Sequence, residues 1–97
     1  MFQHIGVLTL QPTTTAEQKA ALVDALEALV GVVPGLLSAD ARLDAGLREG
    51  NADVFFRMEL ESRAAWEGYS VHPAHVAVVT DHIKPVLVSK SFVQLVD

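Results

Sequence analysis

The hydrophobic pattern of this chain switches repeatedly between a strand-like and a helix-like period, and the order of those switches restricts the fold more than any other feature. Phe2 to Leu10 (FQHIGVLTL) is short, apolar and partly β-branched, as a buried strand is. Gln11-Pro12 ends it. Thr14 and Glu17 then have capping-box spacing, with Thr14 as N-cap. Leu22, Leu26, Leu29 and Val30 follow at helical spacing, and Gly31 stops the helix. Pro34-Gly35 is a turn, and Leu36 to Leu43 reads as a second strand. Asp44 to Ala52 is a connection. Asp53 to Leu60 is the third strand, with Val54, Phe56, Met58 and Leu60 on one face and Phe55, Arg57 and Glu59 on the other. Ser62 caps a second helix carrying Ala65, Trp66 and Tyr69. His72-Pro73 restarts it, because proline suits the first helical position. Helix is expected from Ala74 to about Val88 with a break at Pro85, and Ser91 to Val96 is the last strand.

The resulting order, β-α-β-β-α-β, is the ferredoxin-like plan of the α+β class. Its sheet carries helices on one face only. The other face is apolar here too, so a second copy is expected to cover it, closing a dimeric α+β barrel. Composition points the same way. A hydrophobic content of 51% is high for a lone chain of 97 residues, and these form one domain, residues 1–97.

Charge and cysteine usage exclude several functions. Net charge is −5, and the seven basic residues are scattered, so neither nucleic acid nor an anionic membrane surface is an expected partner. With no cysteine there is no disulfide framework, thiol nucleophile or zinc–thiolate site. No signal pattern or spanning apolar run is present, and a cytoplasmic location is expected. Phosphate-cradling glycine loops, dinucleotide fingerprints and nucleophilic serine motifs are also missing, and no cofactor is expected.

The chemistry is concentrated in Tyr69-Ser70-Val71-His72-Pro73-Ala74-His75. With Pro73 at the first helical position, His75 falls in the first turn. There the helix dipole disfavours imidazolium and favours a neutral ring able to accept a proton. Tyr69 can donate to a carbonyl oxygen and stabilise an enolate. His75 and Tyr69 are therefore the candidate catalytic pair for proton abstraction beside a carbonyl. The alternative reading of the same residues is a plainer one, with His72 and His75 capping and packing the helix junction and Tyr69 in the core. His4, His72 and Phe55 are candidate substrate-binding residues, and His82 is a candidate partner of His75 on a continuous helix. A metal site is not expected, since histidines three apart without a carboxylate or cysteine at ligand spacing are a weak signal.

His4-Ile5, Pro34-Gly35 and Tyr69-x-x-His72-Pro73-x-His75 resemble the stress-responsive dimeric α/β-barrel (Dabb) family over the whole chain. That resemblance implies a ferredoxin-like protomer forming a barrel homodimer. Within the family the chain is similar to a plant polyketide cyclase at Tyr69, at His72-Pro73-Ala74-His75-Val76 and at His4. The similarity implies that His75 acts as base and Tyr69 assists in an intramolecular aldol cyclisation of a polyketide-like ligand. Two alternatives remain: a non-catalytic barrel that binds an apolar metabolite, and a monooxygenase or isomerase of the wider superfamily.

Overall fold

In the computed structural model, which describes residues 1–97, the alternating segments form one antiparallel sheet. Its strands are β1 (Phe2–Leu10), β2 (Leu36–Leu43), β3 (Val54–Leu60) and β4 (Leu87–Val96), in the order β2-β3-β1-β4. The helices are α1 (Ala16–Glu27), α2 (Arg63–Val71) and α3 (Pro73–Val78), and the last runs into a π-helix over Val79–Ile83. The expected ferredoxin-like α+β order is present. No helix is long and apolar enough to cross a membrane.

The helix-facing side of the sheet carries Phe2, His4, Leu8 and Leu10 of β1 and Val54, Phe56, Met58 and Leu60 of β3. They pack on Leu22 and Leu26 of α1 and on Tyr69 of α2 to form the core. Strand parity sends Ile5, Val7, Phe55, Val93 and Leu95 to the opposite face, beside Arg57 and Glu59. The helices pack on β1, β2 and β3 and leave β4 largely uncovered. Phe92, on the helix-facing side of β4, therefore stays 46% exposed.

Three boundaries differ from the sequence expectation. The N-cap of α1 is Thr15, not Thr14. Thr15 Oγ1 accepts the Gln18 N–H at 3.1 Å, and Gln18 Oε1 accepts the Thr15 N–H at 2.8 Å. Thr14 is not available for the role because its own N–H closes a turn onto the Gln11 carbonyl at 3.0 Å. Next, α1 ends at Glu27. Leu29 and Val30 bond three residues back in tighter turns, and Gly31 follows at φ +84°. Finally, β4 begins at Leu87, four residues before the expected start. Pro85 brings no N–H to continue a helix, and the Val86 carbonyl accepts from Gln11 at 2.7 Å, which delivers the chain to the sheet edge.

Gly6 shapes the centre of the helix-facing side. A Cβ there would lie 2.5 Å from the Phe56 ring and 2.6 Å from that of Phe92. The missing side chain is what allows the two rings to meet edge to face, 5.9 Å apart, across β1. Gly6→Ala is expected to lower stability by about 1–3 kcal/mol through overpacking. Urea unfolding reads this directly, and an unchanged midpoint would mean that the rings part freely.

Candidate active site

A cavity of about 540 Å³ opens between α2, α3 and the π-helix on one side and β1, β3 and β4 on the other. This is within the size range of small-molecule sites. It exists because no helix closes over β4. Its wall is mostly apolar, with Leu26, Phe56, Val79, Ile83 and Phe92 among the lining residues, and Tyr69, Ser70 and His75 enter it from either side of the α2–α3 junction.

The α2–α3 junction is built by His72 and Pro73. His72 is extended, at φ −64° and ψ 134°, as a residue before proline prefers. Its Nδ1 accepts the Ala74 N–H at 3.1 Å and caps α3. This reversal brings His75 back against Tyr69, with ring centroids 4.3 Å apart. His75 Nδ1 lies 3.2 Å from the Ser70 carbonyl oxygen. A carbonyl only accepts, so Nδ1 carries the proton and Nε2 keeps a free lone pair. Burial lowers the His75 pKa, and His72 nearby adds to the effect, while the Ser70 bond opposes it. The expected neutral imidazole is thus obtained mainly through desolvation.

Tyr69 is 1% exposed, lines the cavity, and its hydroxyl makes no hydrogen bond within the chain. Burial drives its pKa well above the usual phenol value, which makes it a hydrogen-bond donor at neutral pH. His4 completes the cluster, with its ring 6.1 Å from that of Tyr69 and ringed also by Phe56, Trp66 and Phe92. Gln94, directly across the β1–β4 ladder, donates its amide to His4 Nδ1 at 3.0 Å. His4 Nε2 therefore holds the proton. One acceptor, His75 Nε2, and two donors, Tyr69 O–H and His4 Nε2–H, belong to residues lining one end of the cavity.

His4 is only 8% exposed, and burial, with the His75 imidazole as a lesser cause, lowers its pKa from 6.5 to about 4. Between those two values the unfolded chain binds a proton that the folded chain refuses, so stability rises with pH across that window. Acidification from pH ~6.5 to ~4 is expected to cost about 3 kcal/mol through His4. Urea midpoints measured across this range should fall steeply in the wild type and less steeply in His4→Phe. Equal slopes would assign the loss to other groups.

Two candidate binding residues and one candidate partner lie away from the cavity. Phe55 faces the open side of the sheet, because its neighbours Val54 and Phe56 take the buried side and parity allows no other result. His72 spends its ring nitrogen on the α3 cap and does not line the cavity. His82 does not line it either. The wider π turn over Val79–Ile83 changes the phase of the helix, so that Ile83 and Lys84, rather than His82, fall on the cavity face that carries His75 and Val79. No three His, Asp or Glu side chains converge as a metal-ligand set. Sequence reasoning missed Gln94 and the Ser70 carbonyl. The first is paired with His4 across 90 residues of chain, and the second is a backbone group that carries no sequence signal.

Residues 2–94 match the family model described as the Stress responsive A/B Barrel Domain, Dabb. The chain belongs to the Dabb family. Among solved structures, this Dabb domain is similar to a dimeric ferredoxin-like protein of unknown function from Thermobifida fusca. The two are 29% identical, with a TM-score of 0.85 over 97% of this chain and 88% of that one. A Dabb family protein with a ferredoxin-like fold from Mesorhizobium loti is 21% identical, with a TM-score of 0.80 over 99% and 95% of the two chains. A hydroxynitrile lyase from Passiflora edulis has a TM-score of 0.82 over 97% and 90% at 12% identity, a likeness of fold alone. No curated protein matches the chain by sequence.

Proposed function

We propose that this Dabb domain works as a cytoplasmic homodimer of single-domain chains and that its cavity is a cofactor-independent active site of the cyclase or lyase type. The substrate is an enolisable, polyketide-like carbonyl compound. His75 Nε2 takes the proton from the carbon beside the carbonyl, and the C–H electron pair moves to the oxygen, forming an enolate. Tyr69 O–H and His4 Nε2–H donate to that oxygen. The enolate carbon then attacks a second carbonyl of the same molecule, and the imidazolium returns the proton to the new alkoxide. In a lyase, the enolate instead expels a leaving group.

The observation that carries this reading is the His75 Nδ1–H bond to the Ser70 carbonyl. It selects the tautomer whose remaining nitrogen is a base, on a ring packed against Tyr69 in a mostly apolar cavity. The dimer is supported by the apolar open face of the sheet and by the dimeric description of the Thermobifida fusca protein. Deuterium uptake beside the carbonyl of 1,3-diketones and poly-β-keto compounds, followed by NMR in D2O, tests the chemistry. Uptake above buffer that disappears in His75→Ala supports it. No uptake by the wild type with any member of the panel overturns it.

A second reading, binding without chemistry, is favoured by one feature: both junction histidines are tied to local backbone, His72 to the Ala74 N–H and His75 to the Ser70 carbonyl. In that case His75→Ala and Tyr69→Phe lower thermal stability with no exchange activity to lose.

A further inference from the structure

Charge is distributed unevenly around the cavity. The chain has 12 acidic and seven basic residues, yet the cavity lining includes Lys84 and Lys90 and no acidic side chain at all. Neither lysine has a carboxylate partner: the ion pairs of the fold are made by Lys19, Arg42 and Arg63. Both lysines are exposed, so they stand at the rim, away from the buried end formed by His4 and Tyr69. Lys84 follows the π-helix directly, its N–H bonded to the Val79 carbonyl at 2.8 Å. Lys90 lies opposite Leu8 on the helix-facing side of β4, and its Nζ sits 5.5 Å from the centroid of Phe92, itself a lining residue. The Phe92 contact holds that ammonium along the cavity wall. In a chain of net charge −5, two unpaired cations at the mouth of an apolar cavity are an attractive site for one anionic group.

We propose that the cavity takes an amphipathic carboxylate, with its anionic end at Lys84 and Lys90, its apolar body along Phe92, Leu87 and Ile83, and its far end at the His4–Tyr69–His75 cluster. The proposal deepens the proton-abstraction reading, and rests on it only in putting an enolisable carbonyl at that far end. The substrate class is then a keto acid with an apolar chain between carboxylate and ketone, rather than a neutral ketone. The lysines are positioning residues: they set which end enters and touch no reacting atom.

The test compares decanoate, decan-1-ol and decyl phosphate on the full chain by calorimetry at low ionic strength, below the micelle concentration of each. Decanoate is expected to bind about tenfold more tightly than the alcohol, as two partly exposed charge contacts allow. Lys84→Gln with Lys90→Gln removes that preference and leaves alcohol affinity unchanged, whereas Lys84→Arg with Lys90→Arg keeps it. Added salt weakens decanoate binding and spares the alcohol. Equal affinities for decanoate and decan-1-ol, or a preference that survives in the glutamine double variant, overturn the proposal. Decyl phosphate binding more tightly than decanoate, beyond its extra charge, overturns carboxylate as the head group. Exchange into an aliphatic keto acid separates this proposal from the one it rests on. Carboxylate preference without exchange leaves the lysine site standing and ends the proton-abstraction reading. Exchange into the acid and its methyl ester at equal rates does the reverse.

Discussion

His75→Ala is expected to lower kcat/KM for an enolisable carbonyl substrate by about 10²–10⁴-fold, the usual contribution of a positioned general base. The residue lies at the start of the six-residue α3 and is only half-buried, so the fold should survive its loss. Circular dichroism and a melting curve on the same preparation check that separately. Tyr69→Phe should cost less, because one hydrogen bond to the enolate oxygen is lost while His4 still donates. The pH profile carries an independent signature. Burial lowers the His75 pKa, so its base form persists below the ordinary imidazole range. The acid limb of kcat/KM should therefore fall below pH ~6.5, the unperturbed histidine value. A limb above it, or full activity in His75→Ala, would remove His75 from the base role.

The second large effect concerns assembly. Val93→Glu is expected to convert a dimer into a monomer. Val93 stands on the open face of the sheet beside Ile5, and it is 48% exposed in the isolated chain. A glutamate there is a surface substitution in the monomer and should change its stability by less than about 0.5 kcal/mol. Buried between two sheets, the same carboxylate would be an unpaired charge, costing about 3–5 kcal/mol. Association should then weaken by about 10²–10⁴-fold, since each 1.4 kcal/mol is about a factor of ten. Sedimentation velocity at micromolar protein reads the outcome. A variant that still sediments as a dimer would show that the apolar open face is not where the copies meet.

The order of elements could be read from the sequence because each periodicity is local. Alternation at Val54, Phe56, Met58 and Leu60, and helical spacing at Leu22 and Leu26, require no knowledge of partners. The same holds for the α2–α3 junction. Pro73 has a preset φ and a preference for the first helical position, so the phase of His75 within α3 followed from residue identity alone. Boundaries were less secure where two local signals competed. Thr14-Glu17 and Thr15-Gln18 both have capping-box spacing, and the choice between them was made by a backbone hydrogen bond to Gln11.

What the sequence determined by itself was therefore the ferredoxin-like order, the two-faced sheet and the clustering of Tyr69, His72 and His75. Only the tertiary structure decided which of those groups share a cavity. It brought Gln94 to His4, so choosing the His4 tautomer, and aimed the Ser70 carbonyl at His75. It assigned His72 to capping, put Ile83 rather than His82 on the cavity face through a π turn, and brought Lys84 and Lys90 into the lining of one cavity. The physical reason is range. Periodicity and capping act over a few residues, whereas hydrogen-bond partners, burial and the field at a cavity mouth depend on segments that meet only once the sheet has closed its register.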